Sequence, residues 1–289
     1  MQEHASEFSV RSMSRVLEVS HSGYYLWLKT QKSPGTRAVR NERLLDRIRL
    51  VHKKSRQIYG SDKICKEIRK TEIVNHKCVE RLMQENGIKS KRNKGRRYIP
   101  KTTDSNHGLP IPENLLNREF SATAPNQKWV GDISYIRTEE GWLYLAVFID
   151  LYSRLVVGWA TSANIKTELI ERAFLMGQKR RGRAVGPMVH SDRGSQYASD
   201  DFTDKLKAWK CLQSMSRKGN CWDNAVAESF FSLLKEEMVH HEQFKTRKEA
   251  TDKIFDYIEV FYNRQRIHSS AGNLSPVEFE AMFETQQAA

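Results

Sequence analysis

The chain changes its hydrophobic rhythm once, near residue 128. Before that point apolar residues recur at helical spacing on polar stretches. Leu44, Leu45, Ile48 and Val51 line 41–54, Ile64 and Ile68 follow Tyr59-Gly60-Ser61, and Val79, Leu82 and Met83 follow a capping Asn75. Asn86-Gly87 ends the last of these predicted helices. Two shorter helices are predicted over 12–18 and 23–29, the second capped by Ser22, before a break at Ser33-Pro34-Gly35. After residue 128 the rhythm is that of strands. The runs 129–136, 142–149 and 154–160 are separated by short turns and predict an antiparallel meander. A helix over 167–179, a strand over 187–191, a helix over 199–210, a strand over 212–215 and a helix over 223–239 complete the pattern. A crossover helix returns the fourth strand parallel to the first and beside it, with right-handed sense. The prediction is a mixed five-stranded α/β sheet with helices on both faces, behind an all-helical front.

Charge sharpens this division. Residues 1–101 carry 25 Lys and Arg against 10 Asp and Glu, whereas residues 102–289 carry 23 against 25. All the excess positive charge therefore sits in the helical front, as expected of a polyanion-binding end joined to a differently employed one. Two short helices about a turn, the second carrying His76, Lys77 and Arg81, fit a major-groove reader. Lys89, Lys91, Arg92, Lys94, Arg96 and Arg97 follow with no acid among them, an arm suited to tracking phosphates. The expected organisation is a small helix-turn-helix-like segment at 1–35, a basic helical DNA-binding region at 36–98, a linker at 99–124, a catalytic core at 125–240 and a helical extension at 241–289. The longest apolar run, 143–149, is far too short to span a bilayer, and no leader pattern opens the chain. Cys65, Cys78, Cys211 and Cys221 form no CxxC pair and read as reduced thiols.

Three acids stand out in the second part. Asp132 interrupts the apolar run Trp129-Val130-Gly131-Asp132-Ile133, Asp192 ends the short strand Met188-Val189-His190-Ser191, and Glu228 rides on the last helix. An acid in an apolar strand is costly unless paired or bound to a cation. The strand order brings Asp132 and Asp192 to the carboxyl ends of neighbouring strands, where ligands gather in such sheets. Val226, Phe230, Leu233 and Leu234 form the predicted core stripe of the last helix. Glu228 lies off it, and Lys235, roughly 10.5 Å further along the axis, shares its face. Carboxylates without a His or Cys cluster favour Mg²⁺ or Mn²⁺ over zinc. Asp150 is expected to be a turn acid, Glu168 and Glu171 surface residues or partners of the basic arm, and His190 a packing residue. Trp222 and Asn224 are expected to brace or cap the Glu228 helix, and Ser134 to be an ordinary strand hydroxyl.

The motifs at these positions resemble those of a bacterial insertion-sequence transposase, the downstream-frame product of a two-frame element, whose DDE core is shared with retroviral integrases. They include Asn126-Gln127-Lys128-Trp129-Val130-Gly131-Asp132, Ile149-Asp150-Leu151-Tyr152-Ser153-Arg154, His190-Ser191-Asp192-Arg193-Gly194-Ser195, Asn220-Cys221-Trp222-Asp223-Asn224, Glu228-Ser229-Phe230-Phe231-Ser232-Leu233-Leu234-Lys235 and Tyr262-Asn263-Arg264-Gln265-Arg266. The resemblance covers nearly the whole chain. It implies a ribonuclease H-like fold, with Asp132, Asp192 and Glu228 as catalytic and metal-binding triad and Lys235 as a DNA-contacting base. It implies two Mg²⁺ or Mn²⁺ ions, cleavage at terminal inverted repeats and strand transfer into target DNA by a homo-oligomer in the bacterial cytoplasm, at the nucleoid. Members usually act as fusions with an upstream-frame product. The stretch 69–74 is shorter than the glycine-containing turn that members tend to carry.

Two rivals are separable. A nuclease on the same fold would cut without joining strands. A sequence-specific repressor built on the helical front would bind DNA without catalysis and tolerate Asp192→Asn.

Overall fold

The helical and strand-forming halves fold separately. The computed structural model describes residues 1–32, 35–91, 107–182 and 186–288, and the chain forms two compact units, Met1–Ser90 and Lys91–Ala289. In the first, α1 (Val10–Val16) is capped by Ser9 and α2 (His21–Lys32) by Ser20, whose Oγ accepts from Gly23 N at 3.2 Å. Ser22, the expected cap, lies inside α2, because the helix starts earlier at the Ser20 hydroxyl. Three further helices follow: α3 (Thr36–Lys54), α4 (Ser61–Arg69) and α5 (His76–Glu85). They close over Ile48, Ile64, Ile68 and Val79, all fully buried. Asn75 Oδ1 accepts from Lys77 N at 2.9 Å to start α5, and Gly87, at φ 65°, ends it. The short turn before α5 is closed without glycine, by Arg69 Nε donating to Val74 O at 3.0 Å and Thr71 Oγ1 to Ile68 O at 3.1 Å.

The second unit is built on strands β1 (Lys128–Thr138), β2 (Gly141–Asp150), β3 (Val156–Ser162), β4 (Met188–Ser191) and β5 (Leu212–Met215), in the order β3-β2-β1-β4-β5. β1, β2 and β3 are antiparallel neighbours, while β4 runs parallel to β1 and β5 parallel to β4. This is the mixed five-stranded sheet that the hydrophobic rhythm predicts. One face packs Trp129, Ile133, Ala146 and Phe148 against α6 (Thr167–Arg180), α7 (Ser195–Ala198) and α8 (Asp200–Ala208). The alternate residues Leu143, Leu145, Val147 and Ile149 are buried on the other face, where α9 (Ala225–Glu237) packs against β1 and β2.

α9 turns differently from the predicted stripe. Ala227, Phe230, Phe231, Leu234 and Glu237 are its buried residues, while Val226 and Leu233 are only half-buried. Glu237, in the last turn of α9, is buried in an ion pair. Arg266 donates to the Glu237 carboxylate at 2.7, 2.9 and 3.2 Å, and Tyr257 Oη donates to it at 2.8 Å. Arg266 and Tyr257 belong to the segment that continues through α10 (Arg247–Phe255), a π-type turn (Asp256–Tyr262) and α11 (Pro276–Ala288). From His107 the connector is bound to the core rather than free. Leu115 N donates to Ser214 Oγ at 2.9 Å, and His107 Nε2 to Arg193 O at 2.9 Å.

Candidate active site

Asp132 lies just past the last residues of β1 that pair with β4. Continuing the Val130↔His190 register by two residues sets it across from Asp192. Asp132 thus lies midway along β1, not at its carboxyl end as expected, because β1 continues against β2 beyond its pairing with β4; Asp192 alone follows a strand's carboxyl end, that of β4. Asp132 Oδ1 accepts from Ile133 N at 2.8 Å, and Asp192 Oδ1 from Gly194 N at 3.0 Å. The Asp192 turn is fastened by Arg193 Nε, which donates to Ser216 O at 2.6 Å. Gly131 beside Asp132 has no room for a side chain, since a Cβ there would meet the Phe148 ring at 2.6 Å. Backbone, not flexible side chains, therefore holds both acids.

Their electrostatics report the juxtaposition. Withdrawal from water, followed by the charge of Asp192 and then that of Glu228, pushes the Asp132 carboxyl well above its ordinary value, against the opposing effects of Ile133 N–H and Lys235. Glu228 stands in the first turn of α9, exposed, and its own carboxyl is raised by partial burial. Asp132 is thus within electrostatic reach of both other acids. Among the described residues, however, no group of three or more His, Cys, Asp and Glu is already assembled as a metal cluster.

Lys235, on the last turn of α9, is half-buried. Burial lowers its proton affinity, while Asp132 opposes the shift. Its Nζ lies 4.9 Å from the centroid of the Tyr135 ring. The start of α9 is tied to β1 by Asn224, whose Nδ2 donates to Gly131 O at 3.1 Å. Asn224 therefore braces α9 and its side chain does not cap it. Trp222, the other expected brace, is 68% exposed.

Asp223 was legible only as part of a motif, yet it is the hub of this loop. Its carboxylate accepts from Asn114 Nδ2, Arg118 Nε, Arg217 N and Arg217 Nε, each at 2.9 Å, and from Arg217 Nη2 at 2.7 Å. The Arg217 hydrogen bond, with help from Arg118, holds it well below the usual carboxylate range. Nothing periodic marks such a residue, because its donors come from distant stretches. Tyr197 is a second such residue, with a buried hydroxyl that has no hydrogen-bond partner among the described residues.

The remaining candidates lie away from the acid pair or in structural settings. His190 is buried between Ser214 Oγ, at 2.8 Å, and Ser216 Oγ, at 3.2 Å, and burial lowers its pKa to about 4. Asp150 accepts from Asn126 N at 2.7 Å and Tyr152 N at 2.9 Å and pairs with Arg181 at 3.2 Å. Glu171 pairs with Lys205 at 2.6 Å, Glu168 is exposed, and Ser134 is buried in β1. In the helical unit Lys77, Lys89 and Lys91 are exposed, and Arg81 pairs with Glu85 at 2.9 Å. Arg92, Lys94, Arg96 and Arg97 lie outside the described residues. Cys65, Cys78 and Cys211 are free thiols, and no described helix is long and apolar enough to cross a membrane.

Comparison with known proteins identifies the family. Models of the integrase core domain match residues 122–221 and 228–283, and a model of an HTH-like domain matches 39–96. The chain is 42% identical over 281 residues to the transposase InsF of insertion sequence IS3A from Escherichia coli K12, covering 97% of this chain and 96% of that one. It is 42% identical over 277 residues to a 31 kDa protein of insertion element IS600 from Shigella sonnei, covering 96% and 100% respectively. Among solved structures it is similar to the HTLV-2 integrase catalytic core in complex with magnesium, with 14% identity, a TM-score of 0.42, and coverage of 55% of this chain and 99% of that one. Matched by InsF along nearly its whole length and carrying both an integrase core and an HTH-like domain, this chain belongs to the insertion-sequence transposases of the IS3 type, DDE polynucleotidyl transferases that act on DNA.

Proposed function

We propose that Asp132, Asp192 and Glu228 hold two divalent cations, Mg²⁺ or Mn²⁺, at a phosphodiester of an insertion-sequence end, where the enzyme cleaves and then joins strands. The observation that supports this best is the opposed Asp132–Asp192 pair, in which withdrawal from water and then the charge of Asp192 raise the Asp132 carboxyl. A hard cation relieves that repulsion, and an all-carboxylate donor set suits magnesium or manganese. Glu228 completes the set by side-chain rotation from its exposed position on α9. When bound, a pair of such ions supplies charge stabilisation for the attacking and leaving oxygens of an in-line displacement.

The chain's own residues position the DNA. Lys235 binds the strand's phosphates two turns from Glu228, and Asn224 and the Asp223 hub hold α9 against β1. Water attacks the phosphodiester at the element end and releases a 3′-hydroxyl. That hydroxyl attacks a phosphodiester of the target, forming one P–O bond as another breaks, with no covalent protein intermediate. The helical unit recognises the terminal inverted repeats through Lys77 and Arg81 on α5, with Lys89, Lys91, Arg92, Lys94, Arg96 and Arg97 along the backbone. Two ends joined in one reaction call for more than one copy of the chain on DNA, with the upstream-frame product as fusion or partner. The bacterial cytoplasm, at the nucleoid, is the compartment this chemistry requires.

Asp192→Asn tests the reading. End binding should persist, while cleavage, joining and the stabilisation of the protein by Mn²⁺ should disappear. Undiminished joining by the variant would refute it, and cutting without joining by the wild type would favour the nuclease.

A further inference from the structure

The tip of the β1–β2 hairpin carries an aromatic surface that the catalytic reading leaves unused. Trp142 is 42% exposed, and its ring meets that of Tyr135 edge-on, with centroids 5.1 Å apart and planes at 85°. Lys235 Nζ lies over the Tyr135 ring at 4.9 Å and also bears electrostatically on Asp132. A continuous path therefore runs from the acid pair through Lys235 to Tyr135 and Trp142. Arg137, which pairs with Trp142 in the β1–β2 register, follows Asp132 by five residues along β1, roughly 17 Å at strand rise. That equals about five steps of a nucleic-acid strand.

The surface is stiff. Glu139 N donates to Phe244 O at 3.0 Å, and Thr138 Oγ1 to Gly141 O at 2.7 Å. Arg247 N donates to Glu140 Oε2 at 2.8 Å, and its Nε to Trp142 O at 3.0 Å. The turn at Gly141, at φ 106°, is thus clamped from the extension that follows α9. The surroundings are basic on balance near the ring: Lys235, Arg247, and Arg137 directly opposite Trp142 in the β1–β2 register, with Glu139 and Glu140 at the turn. Singly exposed hydrophobic residues need no explanation. A rigid tryptophan paired with a tyrosine and flanked by cations, one strand segment from an acid pair, matches the chemistry that holds single-stranded bases: a flat ring for the base, and cations for the phosphates.

Resting on the transposase reading above, we infer that Trp142, supported by Tyr135, is a stacking platform for an unpaired nucleobase about five nucleotides from the phosphate being processed. Its role is to keep the end of the element's strand splayed from its complement and aligned on Lys235.

The test measures binding of the full chain, on the Asp192→Asn background so that the DNA stays uncut, to three probes. These are the fully paired element end, the same duplex with a short unpaired tail, and that tail with abasic sugars. The protein should favour the base-bearing tail over the abasic one. Trp142→Leu, which keeps apolar bulk at the hairpin, should lose that preference by roughly five- to 150-fold, the equivalent of about 1–3 kcal/mol per stacked base. Trp142→Phe should retain most of it, and binding to the paired end should not change. Equal affinity for the base-bearing and abasic tails would overturn the inference, even if Trp142→Leu fails to fold. So would a Trp142→Leu effect confined to sedimentation, which would make the surface a contact between copies. Joining by otherwise wild-type Trp142→Leu on a pre-splayed end should fall, whereas a failure of the catalytic reading is registered independently by joining in Asp192→Asn.

Discussion

Replacing Arg266 with methionine should destabilise the catalytic unit far more than a surface arginine would. Arg266 and Glu237 are 4% and 3% exposed, and the guanidinium donates three hydrogen bonds to the carboxylate at 2.7–3.2 Å. Methionine fills most of the space but leaves the carboxylate buried with its cation gone, a loss of about 3–5 kcal/mol for comparable buried pairs. For a unit of this size that corresponds to a fall in melting temperature of about 6–20 °C. The pair Glu237→Leu with Arg266→Met should recover most of the loss, because two apolar groups of similar volume carry no desolvation cost. Thermal and urea unfolding of the four proteins of this cycle measure the coupling. Glu237 ends the helix that bears Glu228 and Lys235, so strand joining by the single variant should fall beyond what its folded fraction explains. A loss below about 1 kcal/mol, or a double variant no more stable than the single one, would refute the view that this buried pair locks α9.

Three further outcomes follow from other parts of the molecule. Gly158→Ala should be destabilising by at least about 3 kcal/mol, because the added Cβ would meet Ala173 O at 2.0 Å and Gly177 N at 2.6 Å, backbone atoms that cannot rotate away; a neutral melting curve would contradict the close packing of α6 on β3. The folded-state proton affinity of Asp223 is depressed, so its stabilisation is present above the ordinary carboxylate pKa of about 3.9 and is lost as pH falls through the lower folded value. The stability gap between wild type and Asp223→Asn should therefore be constant near neutrality and narrow below about pH 4; a gap independent of pH would count against the Arg217–Asp223–Arg118 hub. Neutralising Lys89 and Lys91 should reduce the salt dependence of DNA binding by about 0.9 in slope per lost phosphate contact, and an unchanged slope would remove them from the interface.

Much of this protein is legible in one dimension, and the reason is repetition. Burial on a helix or strand recurs every few residues, so the meander, the crossover and the return of the fourth strand beside the first were readable from apolar spacing and connection rules, and the charge asymmetry from simple counting. The three acids were visible because Asp132 interrupts an apolar run, Asp192 ends one, and Glu228 lies beside the apolar stripe of its helix. Interactions between distant residues leave no periodic trace. Glu237 and Arg266, far apart in the sequence, are buried together by the fold, and Ala227 and Phe231 take the core places expected of Val226 and Leu233. Asp223 gathers donors from residues 114, 118 and 217, and Asn224 reaches β1 instead of capping its own helix. The sequence by itself determined which elements form, their order and which acids are conspicuous. Only the tertiary structure decided which helix face is buried, how the acids are spaced and which charges are paired, because a buried polar group takes its partner from wherever the chain returns.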